Sequence, residues 1–166
     1  MNIVITGPRR SGKSTTCLQL ANLLSQKSCN IGGVITLGQK NKFFYILPLG
    51  KIYSFQNIHK EEPSVKIGRY SIDKLHLFII KKVIEANIDA EYLFIDEIGR
   101  LELKSQGYHP EVQKAINKRQ NGTVVIICDE LLQYCLNKYP KLNDFKIYSL
   151  SSKNSLRNAL ELFKYL

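Results

Sequence analysis

The chain has 166 residues, of which 44% are hydrophobic and 23% charged, as in one ordinary globular domain. No apolar run approaches the roughly 20 residues that span a bilayer, no signal peptide precedes the first strand, and the four cysteines show no zinc-binding spacing. These features argue against membrane and secreted classes and predict a cytoplasmic protein. The net charge of +10 suggests nucleic acid as a possible partner. The lysines are scattered along the sequence, however, which favours a solvated basic surface over a nucleic-acid-binding face.

The first elements predict a phosphate-binding loop. Residues 7–14 read G-x-x-x-x-G-K-[ST], between an apolar strand at 2–6 and a helical pattern at 14–27. The glycines let backbone N–H groups turn toward phosphate oxygens, and the helix adds the positive end of its dipole. We expect Lys13 to bridge the β- and γ-phosphates and Ser14 to ligate Mg²⁺. The predicted nucleotide-binding residues are Gly7, Pro8, Arg9, Arg10, Ser11, Gly12, Lys13, Ser14 and Thr15.

A strand and a hairpin are predicted next. Residues 31–37 form a strand that contains Gly32-Gly33, either as a turn before it or as a place of close backbone approach. Aromatic and β-branched runs at 43–49 and 51–55 predict a β-hairpin. Residues 56–70 are polar and are predicted to be irregular.

The rest of the chain alternates helices with apolar strands. Apolar residues at three- and four-residue spacing predict a helix over 72–87, which Ser71 or Asp73 can cap. The later predicted elements are a strand at 92–96, a polar loop at 102–110, a helix at 110–119, a strand at 123–128, a helix at 129–138, a strand at 145–150 and a helix at 154–165. This alternation predicts a three-layer α/β fold with a mainly parallel central sheet. We expect a single domain over 1–166, with a β-hairpin insertion at about 38–70.

An acidic pair supplies the second half of the predicted site. Asp96 ends an apolar strand, which is the Walker B pattern, and in a parallel sheet this strand end lies at the same edge as the phosphate loop. Asp96 is therefore a predicted Mg²⁺ ligand opposite Ser14, and Glu97 is the candidate general base for an attacking water. Arg100 follows on the same loop and can either contact the transferring phosphoryl group or pair with Glu97 or Glu102.

Four segments of the chain resemble the THEP1 family of small P-loop nucleoside-triphosphatases. They are residues 7–14 (GPRRSGKS), 32–36 (GGVIT), 66–73 (KIGRYSID) and 94–103 (FIDEIGRLEL), and they follow the order of the family. The resemblance implies an ASCE-type P-loop fold. It also implies Mg²⁺-dependent hydrolysis of ATP, GTP and other nucleoside triphosphates, with broad base tolerance.

The resemblance also carries site residues over to this chain. It implies that Lys13 and Ser14 contact phosphate and metal, that Asp96 holds the metal and that Glu97 activates water. The family usually has Pro-Gly-Val or a similar triplet inside the loop, so Arg10 stands where glycine is usual.

Two other functions stay open at this point. In a small-molecule or nucleotide kinase, residues 38–70 would form an acceptor site or lid, and Asp96 or Glu97 would serve the acceptor hydroxyl. The arginines favour this reading, whereas consecutive acids suit a water nucleophile. In a nucleic-acid-stimulated ATPase, the positive charge would bind the polymer.

Overall fold

One seven-stranded sheet forms the centre of the protein. The structure is a computed structural model that describes residues 1–38, 42–54, 64–67, 70–118, 122–150 and 154–166. The strands of the central sheet are β1 (Ile3–Gly7), β2 (Ile31–Leu37), β3 (Phe43–Leu47), β4 (Lys51–Ser54), β7 (Tyr92–Ile95), β8 (Thr123–Cys128) and β9 (Lys146–Ser149). A separate two-stranded sheet pairs β5 (Ser64–Ile67) with β6 (Tyr70–Asp73).

The strand order brings the two predicted halves of the site to neighbouring positions. The order across the central sheet is β4-β3-β2-β7-β8-β1-β9. Strands β2, β7, β8, β1 and β9 are parallel, and β3 and β4 continue the sheet as an antiparallel hairpin. The mainly parallel sheet and its hairpin are therefore confirmed. Only β8 separates the strand before the phosphate loop from the strand that ends at the acidic pair.

Helices cover both faces of this sheet. They are α1 (Lys13–Gln26), α2 (Lys74–Ala86), α3 (Arg100–Leu103), α4 (His109–Lys118), α5 (Asp129–Lys138) and α6 (Ser155–Phe163), and residues Pro140–Asp144 form a short 3-10 helix. None of the helices in the described ranges is long and apolar enough to cross a membrane.

Alternate residues of each central strand enter opposite cores. In β1, Ile3 and Ile5 pack with the α1 and α6 side, whereas Val4 packs with α2 and α4 on the other side. Side chains alternate across a sheet, so a strand buried on both faces must be apolar throughout. This explains why β1, β7 and β8 read as continuous apolar runs. Cys17 and Cys128 lie in this interior as free thiols, as predicted from their apolar surroundings.

The predicted insertion is more ordered than its polar sequence indicated. Residues 64–67 pair with β6, so the expectation of irregular structure is wrong there; 55–63 and 68–69 lie outside the described residues. Ile72 belongs to β6, and the helix predicted to begin at 72 begins at Lys74. The Asp73 carboxylate accepts a hydrogen bond from the Leu75 N–H at 2.6 Å, which identifies Asp73 as the cap.

Most other boundaries agree with the predictions to within a few residues. The predicted polar loop at 102–110 is the exception, since the short helix α3 overlaps its start and α4 begins at His109. The hairpin run predicted to reach residue 49 ends at Leu47, and residues 48–50 form the turn to β4. The single-domain prediction stays a prediction, although one sheet holds both β1 and β9.

Candidate active site

The loop between β1 and α1 closes around the amino group of Lys13. This side chain is 8% exposed, and its Nζ donates to the carbonyl oxygens of Gly7 and Pro8, each at 2.7 Å. Gly12 has a left-handed backbone (φ +93°) that starts α1. The positive charge of Lys13 is thereby held against the curved loop, where an anion would meet both the ammonium and the helix N-terminus.

The two arginines inside the loop differ in their surroundings. Arg9 forms a 2.9 Å ion pair with Glu130 in the first turn of α5, and both side chains are largely exposed. Arg10 is exposed, and its backbone lies in the left-handed region at φ +63°. Arg10 thus has the left-handed backbone conformation that glycine adopts easily, although it is not glycine.

Asp96 lies buried beside the loop. Its Oδ2 accepts from the Thr36 N–H at 3.0 Å, and its carbonyl oxygen accepts from the Thr36 hydroxyl at 2.7 Å. Burial, and then the neighbouring Glu97 charge, raise the pKa of Asp96 to about 7, against the hydrogen bonds from Ser14 and Thr36 and the charge of Lys42. The structure therefore brings Ser14 and Asp96 together as predicted.

Glu97 is partly exposed at the same edge of the sheet as Asp96, and hydrogen bonds hold its backbone in place. The Asp96–Glu97 peptide bond is cis. The Tyr108 hydroxyl accepts from the Glu97 N–H at 3.2 Å and donates to the Glu97 carbonyl oxygen at 2.5 Å. Burial raises the pKa of Tyr108 well above its ordinary value, so the phenol stays protonated and able to donate. One hydroxyl thus satisfies both backbone groups of the candidate base.

The loop after Glu97 is organised around the buried carboxylate of Glu102. Its Oε2 accepts from the Gly99 N–H at 3.0 Å and its Oε1 from the Tyr108 N–H at 3.3 Å. Burial raises the pKa of Glu102, while these backbone donors lower it. Gly107 (φ +63°) passes so close that a Cβ there would lie 2.1 Å from Oε1. Each carboxylate oxygen of Glu102 therefore accepts one backbone N–H, and together they bind the two ends of the turn.

Arg100 begins α3 at the surface. Its side chain makes no hydrogen bond or ion pair with any residue in the described part of the chain, so the two pairings that the sequence allowed are both absent there.

Several residues of this site were missed by sequence reasoning. Thr36 and Tyr108 contact the backbone of the acidic pair, Lys42 acts on Asp96 through its charge, and the Thr6 hydroxyl donates to Asp129 at the end of β8. The only signal that could have found Thr36 and Asp129 was their position at the carboxyl ends of strands next to β7 and β1.

The oxygen atoms beside the loop fit a hard divalent cation. Ser14 and Asp96 provide a hydroxyl and a carboxylate, and burial together with the Glu97 charge raises the pKa of Asp96 more than the Lys42 charge lowers it. Within the described residues, no group of three or more His, Cys, Asp or Glu side chains could enclose a metal. A cation held by few protein ligands, and otherwise by phosphate and water, is the usual arrangement for Mg²⁺.

The sheet order, the lysine-containing loop and the acidic end of β7 together define a P-loop nucleoside-triphosphatase. The chain belongs to the NTPase family, whose model matches residues 2–162. It is thus an enzyme of the nucleoside-triphosphate phosphohydrolase class.

Relatives from archaea and bacteria support this membership. The nucleoside-triphosphatase THEP1 of Methanothermobacter thermautotrophicus is 26% identical over 100% of this chain and 96% of its own length. THEP1 of Thermotoga maritima is 28% identical over 96% and 91%, and that of Methanocaldococcus jannaschii is 30% identical over 70% and 72%.

Two solved structures share the fold. The crystal structure of THEP1 from Aquifex aeolicus superposes with a TM-score of 0.78 at 18% identity, covering 100% of this chain and 99% of that chain. The solution structure of a human cancer-related nucleoside triphosphatase superposes with a TM-score of 0.70 at 19% identity, covering 99% and 96%. The predicted family and fold are therefore confirmed.

Proposed function

We propose that this protein is a Mg²⁺-dependent phosphohydrolase that converts nucleoside triphosphates to diphosphates and phosphate, with ATP and GTP among its substrates and broad tolerance of the base. The observation that carries the proposal is the buried Lys13 ammonium inside the phosphate loop, 2.7 Å from the carbonyl oxygens of Gly7 and Pro8, with the buried Asp96 directly after the nearby strand β7. The names of the THEP1 relatives support hydrolysis as the reaction.

Binding of the triphosphate falls to the loop. Backbone N–H groups over residues 7–15 would surround the β- and γ-phosphates, and Lys13 would exchange the carbonyl oxygens of Gly7 and Pro8 for phosphate oxygens. A phosphate oxygen carries more negative charge than a carbonyl oxygen, so this exchange is favourable. Ser14 and Asp96 would hold Mg²⁺.

Hydrolysis requires a base next to the γ-phosphate. When bound, Mg²⁺ neutralises the charge that develops on the phosphate oxygens. The Glu97 carboxylate accepts a proton from water as the water oxygen forms a bond to the γ-phosphorus. The bond from that phosphorus to the bridging oxygen breaks, and its electron pair leaves with the nucleoside diphosphate. Glu97 suits this role because it follows Asp96 directly and is partly exposed.

Arg100 is proposed to stabilise the phosphoryl group during transfer. It is on the same loop as Glu97, it is exposed, and its side chain forms no ion pair with Glu102, whose carboxylate oxygens accept from the Gly99 and Tyr108 N–H groups. A guanidinium that is free to move can donate two hydrogen bonds to the equatorial oxygens.

Replacement of Glu97 by Gln is the decisive experiment. Phosphate release from ATP, GTP, CTP and UTP, measured with Mg²⁺ and without an acceptor, should fall at least about 100-fold because an amide cannot accept the proton. Nucleotide affinity should stay within a few-fold of wild type. Arg100→Ala in the same assay should lower the rate without a matching loss of affinity.

Other outcomes of this assay would change the assignment. Full turnover in the Glu97→Gln enzyme would remove Glu97 as the base. Tight nucleotide binding without phosphate release, followed by turnover on addition of an acceptor, would identify a kinase instead. Stimulation of hydrolysis by RNA or DNA that disappears as salt is raised would favour the nucleic-acid alternative.

The cytoplasm stays the predicted location, in keeping with four free thiols.

A further inference from the structure

The backbone of Glu97 is held by a network that connects residues 97 and 108. The Tyr108 hydroxyl contacts both the N–H and the carbonyl oxygen of Glu97, and Tyr108 is only 6% exposed. The Tyr108 N–H donates to Glu102, whose other oxygen accepts from Gly99. The turn that follows the acidic pair is therefore fixed at its start, its middle and its end.

Contacts behind Glu102 extend this network into the protein. The Tyr139 hydroxyl donates to the Glu102 carbonyl oxygen at 3.3 Å and lies 2.6 Å from Nδ1 of His109. Gly107 has no room for a Cβ next to the Glu102 carboxylate. The Glu102 carboxylate thus packs directly against the backbone of Gly107, the residue before Tyr108.

We propose that Tyr108 and Glu102 are positioning residues that fix Glu97 for attack of water on the γ-phosphate. This inference rests on the proposed function, since it requires Glu97 to be the base. The direction of a carboxylate follows from the backbone that carries it, and displacement of a catalytic group by about 1 Å can cost about 100-fold in rate. Tyr108 and Glu102 act through the backbone of Glu97 and are not expected to touch nucleotide.

The test is removal of the Tyr108 hydroxyl alone. In Tyr108→Phe, the N–H and carbonyl of Glu97 lose their partner while the buried ring stays in place. We expect kcat for Mg²⁺-ATP hydrolysis to fall about 10-fold or more, as estimated for a misplaced base. KM, and the Kd for a fluorescent ATP analogue, should change less than about twofold, because the loop around Lys13 makes no contact with this hydroxyl.

Tyr92→Phe is the matched control. Tyr92 begins β7 and, like Tyr108, is buried (9% exposed), but its hydroxyl donates to the Leu166 carbonyl oxygen at 3.2 Å, at the opposite end of the strand from Asp96. This variant loses one hydroxyl hydrogen bond and should keep the wild-type kcat. Thermal unfolding of both variants reports their loss of stability separately from their activity.

A double substitution separates this inference from the proposed function. If Tyr108 acts through Glu97, then Tyr108→Phe should cause no further loss when Glu97 is already Gln. Glu102→Gln replaces one carboxylate oxygen, which accepts from a backbone N–H, by an amide NH2 group, which cannot accept. This substitution should also lower kcat while KM is preserved. This second variant tests the network if Tyr108→Phe is poorly folded.

Three results would overturn the positioning role. Wild-type kcat in folded Tyr108→Phe, with Glu97→Gln inactive, would refute it and leave the proposed function intact. An equal kcat loss in Tyr92→Phe, or a parallel loss of nucleotide affinity in Tyr108→Phe, would show a general structural effect. An active Glu97→Gln enzyme would instead remove the base itself, and the inference with it.

Discussion

Arg10 has a backbone conformation that side chains rarely adopt, at φ +63° inside the phosphate loop. The left-handed region costs roughly 1–2 kcal/mol for a residue with a Cβ, and glycine avoids that cost. The resemblance to the THEP1 family predicts glycine here. The loop therefore turns at this residue although it is not glycine, as it must if the N–H groups on both sides face the phosphate that we propose the loop binds.

Substitution of Arg10 should reveal this requirement. Arg10→Gly removes the strain of the left-handed backbone but raises the conformational entropy of the unfolded chain. The two effects oppose each other, so the free energy of unfolding should stay within about 1 kcal/mol of wild type. Arg10→Val places a β-branched residue in the same region, where it is less tolerated still, and should be less stable than Arg10→Gly by roughly 1–2 kcal/mol. Urea unfolding measures both variants. Equal stability of the two variants would contradict a left-handed backbone at this position.

At the scale of the elements, the pairing of β2 with β7 sets the position of Asp96. Gly33 lies within β2 at φ +112°, and a Cβ there would lie 2.0 Å from the Phe94 carbonyl oxygen. Of the two alternatives for Gly32-Gly33, close backbone approach is therefore correct for Gly33. This approach lets β2 place Thr36 next to Asp96, where it donates two hydrogen bonds.

Gly33→Ala should be far more damaging than Gly50→Ala. Gly50 also has a positive φ of +66°, but the nearest atom to an added Cβ is the Tyr45 hydroxyl at 3.6 Å, which is ordinary contact. Backbone strain alone should cost Gly50→Ala about 1 kcal/mol. The added collision should bring Gly33→Ala to at least about 3 kcal/mol, or prevent folding. Urea unfolding compares the pair, and similar losses would mean that β2 and β7 are not closely packed.

At the scale of the whole molecule, protonation of His109 is expected to make the free energy of unfolding depend on pH. It is the first residue of α4 and lies next to Tyr139, with Lys138 and Glu111 as the nearby charges. Burial, and then the Lys138 charge, lower its pKa below the ordinary 6.5, whereas Glu111 raises it. The unfolded chain therefore binds a proton at His109 more readily than the folded one. Stability from this residue is complete above pH 6.5 and is lost as the pH falls toward the folded pKa.

His109→Gln should make the protein less sensitive to acid. The glutamine cannot be protonated, and its side chain can still hydrogen-bond to the Tyr139 hydroxyl. Between about pH 8 and pH 5.5, wild type should lose more unfolding free energy than the variant, as judged by urea titrations at each pH. Identical losses in the two proteins would exclude His109 as a source of this pH dependence.

Local patterns in the chain were enough to predict the class of protein. Residues 7–14 between a strand and a helix, together with Asp96 and Glu97 at a strand end, predicted the phosphate loop and the acidic pair without any contact information. These features depend on neighbours in sequence: glycines that permit a turn, a lysine at fixed spacing and apolar runs that must be buried.

The tertiary structure alone decided which distant groups support that site. Thr36 reaches Asp96 across 60 residues of sequence, and Thr6 reaches Asp129 across 123. Tyr108 is nearer to Glu97 in the chain, yet no periodic pattern indicates that its hydroxyl turns back to the Glu97 backbone. Such contacts follow from the order of the strands and the closure of the loops. These bring together polar groups that lie far apart in the sequence, and no local pattern links one group to the other.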